Sequence, residues 1–181
     1  LVLNHLGLYI GIYKLCQKRW LKMFEVVDNF LDKDYFNKIK NFILNEEFPW
    51  YYNDRISNEN DPKNFYYFTH IFYIENSTNS DAYNIWKDFL KKIDCKALIR
   101  IKASMYNNIN EKRKNKPHVD YSYSHKGCLF YLNSNNGETY FKNKKVLPKE
   151  NRAVFFDPSI PHASSLCTDE KRRVTINFNY F

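Results

Sequence analysis

Glycine and proline are both scarce in this sequence, with 4 Gly and 6 Pro among 181 residues. So small a share excludes a collagen-like protein and argues against a loop-rich one. Cysteine is also sparse: Cys16, Cys95, Cys128 and Cys167 show no CxxC spacing and are too few for a disulfide framework. Isolated cysteines are typical of reduced thiols, so we expect a cytoplasmic protein.

The sequence contains no apolar run that is long enough for a confident membrane span. The apolar part of residues 1–22 is short and is broken by His5 and Lys14. Its basic residues mostly follow the apolar run, whereas those of a signal peptide precede it. We expect residues 1–22 to be an extension outside the fold and residues 23–181 to form a single domain. A membrane-proximal anchor is the alternative for the extension.

Basic residues exceed acidic ones by 28 to 20, which gives a formal net charge of +8. Such an excess invites a nucleic-acid-binding interpretation. However, Lys, Asn, Ile, Phe and Tyr are abundant together, and a genome rich in A and T would encode all of them. The basic residues are also dispersed, apart from a cluster at residues 112–116. A basic nucleic-acid-binding module without catalysis therefore stays an alternative only.

Apolar periodicity predicts two helices in the first half of the chain. Asp32 can cap a helix that runs to about residue 45, and a second helix opens at Ser80 or Asp81. The predicted apolar faces comprise Tyr35, Phe36, Ile39, Phe42 and Ile43 in the first helix and Ala82, Ile85, Trp86, Phe89, Leu90 and Ile93 in the second. The simplest arrangement packs both helices outside a sheet.

Short predicted strands occupy most of the remaining chain. They cover residues 24–27, 65–74, 98–106, 118–121, 127–133, 138–141, a short segment near 146, 152–156 and 172–180. Residues 133–137 and 157–161 are strong turn signals. Many short strands after an initial helical segment predict a mainly β protein with flanking helices, either a β-sandwich or a jelly-roll barrel.

Two histidines and an aspartate form the candidate metal site. His118 and Asp120 stand two positions apart, and alternate side chains of an extended strand point to the same side. A third ligand must come from elsewhere, and His162 is the obvious candidate. Two histidines and one carboxylate are the ligand set of non-haem Fe(II) oxygenases, which keep open positions for substrates.

The sequence around these residues resembles the Fe(II)/2-oxoglutarate-dependent dioxygenases. The resemblance runs through residues 117–120 (PHVD), 128–133 (CLFYLN), 137–141 (GETYF), 161–162 (PH) and 173–175 (RVT), and it covers roughly residues 23–181. It is greatest to small prolyl-hydroxylase-like members from marine bacteriophages, whose closing strand is similar to residues 173–181. For a phage protein the cytoplasm would be that of the host.

The resemblance implies a double-stranded β-helix, a jelly-roll or cupin-like barrel with the N-terminal helices packed on the major sheet. It also implies bound Fe(II), with 2-oxoglutarate and O2 as cosubstrates and ascorbate in a supporting role. The expected reaction is hydroxylation of an unidentified substrate, coupled to oxidative decarboxylation of 2-oxoglutarate to succinate and CO2. Peptidyl proline is the substrate that analogy favours, and a nucleic acid or a small molecule is the alternative.

Strand alternation selects the residue that would anchor 2-oxoglutarate. On the final strand Arg173, Thr175, Asn177 and Asn179 share one face, whereas Val174, Ile176, Phe178 and Tyr180 share the other. The apolar face should pack on the helices, so Arg173 and Thr175 face the barrel and Arg172 lies outside. A guanidinium binds a carboxylate bidentately and stays charged when desolvated. The family resemblance implies that Tyr131 and Tyr106 are tyrosines of the 2-oxoglutarate pocket and that Thr139 also lines this pocket.

Other interpretations use the same residues differently. A non-oxygenase, cupin-like metal protein would share the barrel, but it usually has more histidine ligands and no need for the Arg173–Thr175 pair. A nucleic-acid demethylase of this family carries a second arginine six residues after the first, where this chain has Phe178 or Asn179. We expect His70 and His125 to be structural. The cluster at residues 112–116 is expected near the active-site rim, more as a solvated loop than as a guide for an acidic substrate.

Overall fold

The computed structural model describes residues 24–56 and 66–181, so the expectation for residues 1–22 lies outside the described residues. In chain order the elements are β1 (Glu25–Val27), α1 (Lys33–Leu44), β2 (Tyr51–Asn53), β3 (Tyr67–Ile74), β4 (Ser77–Thr78), a 3-10 helix (Asp81–Trp86), α2 (Lys87–Lys92), β5 (Leu98–Asn107), β6 (Lys126–Tyr131), β7 (Thr139–Phe141), β8 (Lys144–Val146), β9 (Arg152–Phe156), β10 (His162–Ser164) and β11 (Arg172–Tyr180). Within the described ranges, no helix has the length and apolar character needed to cross a membrane.

Helix α1 begins directly after Asp32, the residue that was predicted to cap it. The Asp32 carboxylate accepts a hydrogen bond from the Tyr35 amide at 2.9 Å. Phe36, Ile39 and Ile43 are buried, but Phe42 is 41% exposed, so its place in the predicted apolar stripe is wrong. At 100° per residue, position 42 stands about 90° from the centre of the buried stripe, which leaves it at the edge of the helix.

The second predicted helix divides into two parts. The Ser80 hydroxyl accepts a hydrogen bond from the Ala82 amide at 3.2 Å. The 3-10 helix follows, and α2 begins directly after it. Trp86 and Phe89 are fully buried against the outer face of the sheet, in a cluster that includes Phe130, Ile176 and Phe178. Both helical segments therefore cover one side of the sheet, as the sequence predicts.

The strands form two antiparallel sheets. The major sheet has the order β1-β9-β6-β11-β5-β3-β2, with β4 paired to β3, and the minor sheet has the order β10-β7-β8. Side chains from the inner faces of the two sheets meet in one apolar cluster, which comprises Leu129, Tyr131, Phe141, Val146, Val154 and Phe156. Two facing sheets with helices on the outer side of the larger one confirm the predicted double-stranded β-helix.

The predicted strand at residues 118–121 is wrong. This segment makes a single bridge, between His118 and His162. Pro117 has no amide hydrogen to extend the pairing upstream, and the Asp120 amide instead donates to the carbonyl of Pro158 at 3.0 Å. The partner strand β10, which the sequence analysis missed, has only three residues and follows the turn signal at residues 157–161 directly.

The stacked rings of Phe89 and Phe178 provide a test of the packing between helix and sheet. Both side chains are fully buried, and their centroids lie 4.1 Å apart with an interplanar angle of 8°. We expect Phe89→Leu to lower the free energy of unfolding by about 1–2 kcal/mol, because it removes the stack and leaves a gap. The control Phe42→Leu, at the exposed edge of α1, should change it by less than about 0.5 kcal/mol. Urea denaturation compares the two, and equal losses would contradict this packing.

Candidate active site

His118, Asp120 and His162 come together at one place in the structure. One ligand atom from each lies within 4.8 Å of the others, and His118 Nε2 lies 3.8 Å from Asp120 Oδ1. The backbones of the two histidines are paired reciprocally, with the His118 amide donating to His162 at 2.9 Å and the His162 amide donating to His118 at 3.0 Å. This pairing places both imidazoles on the same side.

Hydrogen bonds orient two of these three side chains. His162 Nδ1 lies 3.0 Å from the carbonyl oxygen of Ile160, and because a carbonyl only accepts, Nδ1 carries the hydrogen and Nε2 keeps its lone pair. Asp120 Oδ2 accepts a hydrogen bond from each amide of Asn177 and Asn179, both at 2.9 Å. Asp120 Oδ1 is thereby left on the side of His118, where it can bind an ion.

The local electrostatics put Asp120 and His118 in the protonation states that metal binding requires. Burial raises the pKa of Asp120, but Arg100, with Nη2 at 3.1 Å from Oδ1, and the hydrogen bond from Asn179 outweigh it and hold this pKa far below its usual range. Partial desolvation and the adjacent His162 lower the pKa of His118 to about 4. At neutral pH the carboxylate is ionised and the His118 imidazole is neutral, as metal ligation needs.

A buried arginine lies at the other end of the same cavity. Arg173 is 1% exposed, and it donates from Nη2 to Thr139 Oγ1 at 2.7 Å and from Nη1 to the Ser165 carbonyl at 3.2 Å. The Tyr131 hydroxyl lies 2.7 Å from Thr139 Oγ1. Among the residues that the structure describes, no carboxylate pairs with Arg173, and its Nε has no acceptor. A buried cation without an anion is costly, so this end suits the carboxylate of a ligand.

One cavity between the two sheets brings the predicted site residues together. It is lined by seven of them: Tyr106, His118, Asp120, Thr139, His162, Arg173 and Thr175. Tyr131 stands behind Thr139, to which it is hydrogen-bonded. Arg172 lies on the opposite face of β11, where Nη2 donates to the Leu44 carbonyl of α1 at 2.9 Å.

Several residues of this cavity were not predicted from the sequence. Lys102, Ser104 and Ser164 also line it, and Arg100 contacts Asp120. Alternation along β5 places Arg100, Lys102 and Ser104 on the face of Tyr106, so the rule that selects Arg173 on β11 could have found them too. Burial, together with the repulsion of Arg100, lowers the pKa of Lys102 to about 8, which leaves the side chain mostly protonated at neutral pH.

The basic cluster at residues 112–116 lies beside β10, the edge strand of the minor sheet. The Leu166 amide donates to the Arg113 carbonyl at 2.9 Å, and the Asn115 amide donates to Ser164 at 2.8 Å, so the segment runs beside β10. Lys114 Nζ stands 4.1 Å from the ring centroid of Tyr140, and Lys112 lies 3.9 Å from Glu138. These lysines are exposed and do not line the cavity.

The other two described histidines have structural contacts. His70 lies between the Pro49 carbonyl and the Ser80 hydroxyl, both at 2.8 Å. His125 lies 2.9 Å from the Tyr123 carbonyl through Nδ1 and 3.0 Å from the Asn179 amide through Nε2. Since Asn179 also donates to Asp120, His125 helps to fix the amide that orients the candidate metal ligand.

Close packing at Gly127 supports the position of Asp120. A Cβ atom at Gly127 would overlap the ring of Pro158, whose carbonyl accepts the Asp120 amide at 3.0 Å. We expect Gly127→Ala to cost about 1–3 kcal/mol of unfolding free energy through overpacking. Pro158→Ala removes the atoms that collide, so the double variant should recover most of the loss. Thermal unfolding of the four proteins measures this coupling, and additive losses would contradict the proposed collision.

The comparison with family models matches this part of the chain. Residues 102–181 match the 2OG-Fe(II) oxygenase superfamily, and the match includes His118, Asp120, His162 and Arg173. Residues 102–181 are thus similar to a 2OG-Fe(II) oxygenase domain. Enzymes of this superfamily work with Fe(II), 2-oxoglutarate and O2, and the donor set and the unpaired Arg173 fit these groups. A search of curated protein sequences found no match.

Solved structures show that the oxygenase fold extends over most of the described chain. An oxidoreductase of the 2OG-Fe(II) oxygenase family from Burkholderia pseudomallei aligns with a TM-score of 0.64 at 10% identity, covering 91% of this chain and 87% of that one. A prolyl hydroxylase from Trichoplax adhaerens, in complex with a peptide fragment of hypoxia inducible factor, gives 0.58 at 14% identity, with 88% and 83% covered. A Pseudomonas putida prolyl-4-hydroxylase gives 0.56 at 11%, with 87% and 91% covered. The predicted likeness to phage members stays a prediction.

Proposed function

We propose that this oxygenase hydroxylates its substrate while it converts 2-oxoglutarate to succinate and CO2, with His118, Asp120 and His162 as the iron ligands. One observation carries the proposal: the three candidate ligands and the buried, unpaired Arg173 face the same cavity. One oxygen atom of O2 enters succinate, and the other replaces a C–H bond of the substrate by C–OH. Bound Fe(II) supplies the activation of O2, and the decarboxylation of 2-oxoglutarate supplies two electrons.

The residues at the Arg173 end orient the cosubstrate in this proposal. The Arg173 guanidinium and the Thr139 hydroxyl are within hydrogen-bonding distance of each other and both line the cavity, so they can bind one carboxylate together, while the Tyr131 hydroxyl behind them holds Thr139 in place. Thr175 and Tyr106 line the path from there to the histidines. Because the anchor is a fixed charge in a buried place, 2-oxoglutarate would bind in a single orientation, with its keto acid directed towards the three ligands.

The residues around the triad keep its geometry fixed. Asn177 and Asn179 hold the non-ligating oxygen of Asp120, and the Ile160 carbonyl holds the outer nitrogen of His162. Leu129 and Ala163 contribute apolar surface to the cavity wall, which helps to keep water from the reacting atoms. The protein's share of the reaction is thus binding, orientation and exclusion of water.

A protein or peptide substrate is favoured by analogy, with proline as the candidate residue. The Trichoplax adhaerens relative of similar fold is a prolyl hydroxylase seen in complex with a peptide. We propose a cytoplasmic location, which the free thiols of Cys95, Cys128 and Cys167 support, since a reducing compartment keeps thiols free. We also propose that residues 23–181 form one domain, because α1, α2 and the major sheet share one apolar cluster.

Succinate release from 2-oxoglutarate tests the proposal. The purified protein is supplied with Fe(II), 2-oxoglutarate and ascorbate, with and without cell extract as a source of substrate, beside His118→Ala and Arg173→Ala. We expect release by the wild type, an increase on addition of extract, and a gain of 16 Da in an extract protein. Release no faster than in the two variants, with extract present, would refute the oxygenase function. Salt-dependent DNA binding that survives His118→Ala, without any turnover, would favour the basic binding module instead.

A further inference from the structure

Strand β5 directs two further cations towards the active site. Arg100 and Lys102 alternate with Ile101 and Ala103, which are fully buried on the helix side of the sheet. Lys102 lines the cavity with the three candidate ligands, and the Arg100 side chain is 13% exposed, beside Asp120. Neither residue has a role in the function proposed above.

The donors of both residues are poorly satisfied by the protein. Arg100 Nη2 lies 3.1 Å from Asp120 Oδ1, but neither Nε nor Nη2 makes a hydrogen bond within the described residues. The Lys102 ammonium lies 6.0 Å from the ring centroid of Tyr67, and no hydrogen bond to it occurs in the described part of the chain. The two buried Arg100 nitrogens lack acceptors, and the ammonium of the half-buried Lys102 faces the cavity without one, so the pair indicates an anion that the described residues do not supply.

The charge of the cavity leads to the same conclusion. Among the described residues that line or contact the cavity, Arg100, Lys102 and Arg173 are positive and Asp120 is negative. Ferrous iron and the 2-oxoglutarate dianion have opposite charges of equal size. With Fe(II) and 2-oxoglutarate bound, the cavity therefore keeps an excess of two positive charges. A neutral substrate would leave these charges uncompensated in surroundings of low dielectric constant.

The strand register separates these cations from the site of the distal carboxylate. On β5, Tyr106 pairs with Arg173, whereas Lys102 pairs with Asn177 and Arg100 pairs with Asn179. Four residues of strand span about 13 Å, so Lys102 stands too far along the cavity to share the carboxylate that Arg173 would bind. Asn177 and Asn179 hold Asp120, which places Lys102 and Arg100 at the level of the candidate metal ligands.

We propose that the primary substrate is an acid that presents a carboxylate to Lys102 and Arg100, next to the carbon that is hydroxylated. The inference rests on the proposed oxygenase function and names its substrate class. A carboxylate fits better than a phosphate, because the described lining residues belong to strands and their flanking segments and offer no helix N-terminus. A planar guanidinium and a flexible ammonium two positions apart on one strand face can bind one carboxylate from two sides.

Matched acid and amide ligands test the proposal by binding. The full chain is loaded anaerobically with Mn(II) and 2-oxoglutarate and titrated calorimetrically. One arm compares the α-amide of N-acetyl-glutamate with the α-amide of N-acetyl-glutamine, which differ in one carboxylate, and the other compares acetyl-Ala-Pro-Glu-Ala-amide with its Gln counterpart. We expect the acid to bind at least about tenfold more tightly than the amide in one arm, since hydrogen bonds to charged groups contribute about 1.5–3 kcal/mol. That arm identifies the source of the carboxylate as a free acid or a peptide.

Variants assign the preference to Lys102. Lys102→Met should reduce the preference for the acid over the amide to less than about twofold. Lys102→Arg should keep most of this preference, because only Arg retains the charge. Lys91→Met is the control, since Lys91 is exposed on α2 with a side chain that is 79% accessible, and it should keep the full preference. Equal binding of acid and amide, no binding of either acid, or binding of single-stranded DNA alone would overturn the proposal. So would a loss of 2-oxoglutarate affinity in Lys102→Met as large as that in Arg173→Met.

The failures of the two proposals are distinguishable. Wild-type succinate release with cell extract tests the oxygenase function independently of the acid ligands. Release without an acid preference would overturn the substrate class alone, whereas no release in any condition would overturn the function on which it rests.

Discussion

Arg173→Met is expected to raise the dissociation constant for 2-oxoglutarate at least about a hundredfold, because it removes charge-assisted hydrogen bonds of about 1.5–3 kcal/mol each from a buried site. Arg173 is 1% exposed and donates to Thr139 within the cavity. Titration of the Mn(II)-loaded protein with 2-oxoglutarate measures the change.

The adjacent arginine provides a matched control. Arg172 lies on the opposite face of β11 and donates to the Leu44 carbonyl. Arg172→Met removes the same charge one residue away, so it should change the 2-oxoglutarate affinity by less than about threefold while costing about 0.5–1.5 kcal/mol of stability through its lost hydrogen bond. Equal losses of affinity in the two variants would show that the effect is one of general charge or folding and not of the cavity.

His162→Ala is expected to abolish tight binding of a divalent metal and to reduce turnover at least about a thousandfold. The variant would leave only two of the three protein ligands to hold the ion. His162 Nε2 is free for an ion, because Nδ1 donates to Ile160. Metal content after dialysis and succinate release measure the two effects. Thermal unfolding of the metal-free proteins checks that the variant is folded.

His70→Gln is the control for a buried histidine without a metal role. His70 lies between Pro49 and Ser80, and burial lowers its pKa, so it is a neutral hydrogen-bonding group. We expect this variant to keep one metal ion per chain and wild-type turnover, with some loss of stability. Loss of metal in His70→Gln, or retention of metal in His162→Ala, would contradict the assigned ligand set.

Period-two alternation accounts for much of what the sequence predicts correctly. It directs Arg173 and Thr175 into the barrel and Arg172 outwards, because the apolar residues of β11 must pack on the helices. The same rule applied to β5 would have revealed Lys102 and Arg100. The helices were predictable because Asp32 and Ser80 provide local caps and because Trp86 and Phe89 fall at helical spacing.

The remaining features depend on contacts between distant parts of the chain. His118 and Asp120 converge without the extended strand from which their proximity was inferred. Asp120 is positioned by Asn177, Asn179 and the Pro158 carbonyl, none of which is a sequence neighbour. Strand β10 has three residues, too few to show any periodicity. Phe42 is exposed because it stands at the edge of the buried stripe of α1, and the width of that stripe depends on packing against other parts of the chain.

Turnover under ¹⁸O2 tests the proposed reaction by following both oxygen atoms of O2. The chain, Fe(II), 2-oxoglutarate, ascorbate and cell extract are incubated under labelled oxygen, and succinate is analysed by mass spectrometry. We expect succinate that carries one ¹⁸O atom, formed in amounts that match the CO2 released, and an ¹⁸O-labelled hydroxyl in the product. Succinate without the label, or consumption of O2 without decarboxylation of 2-oxoglutarate, would contradict it.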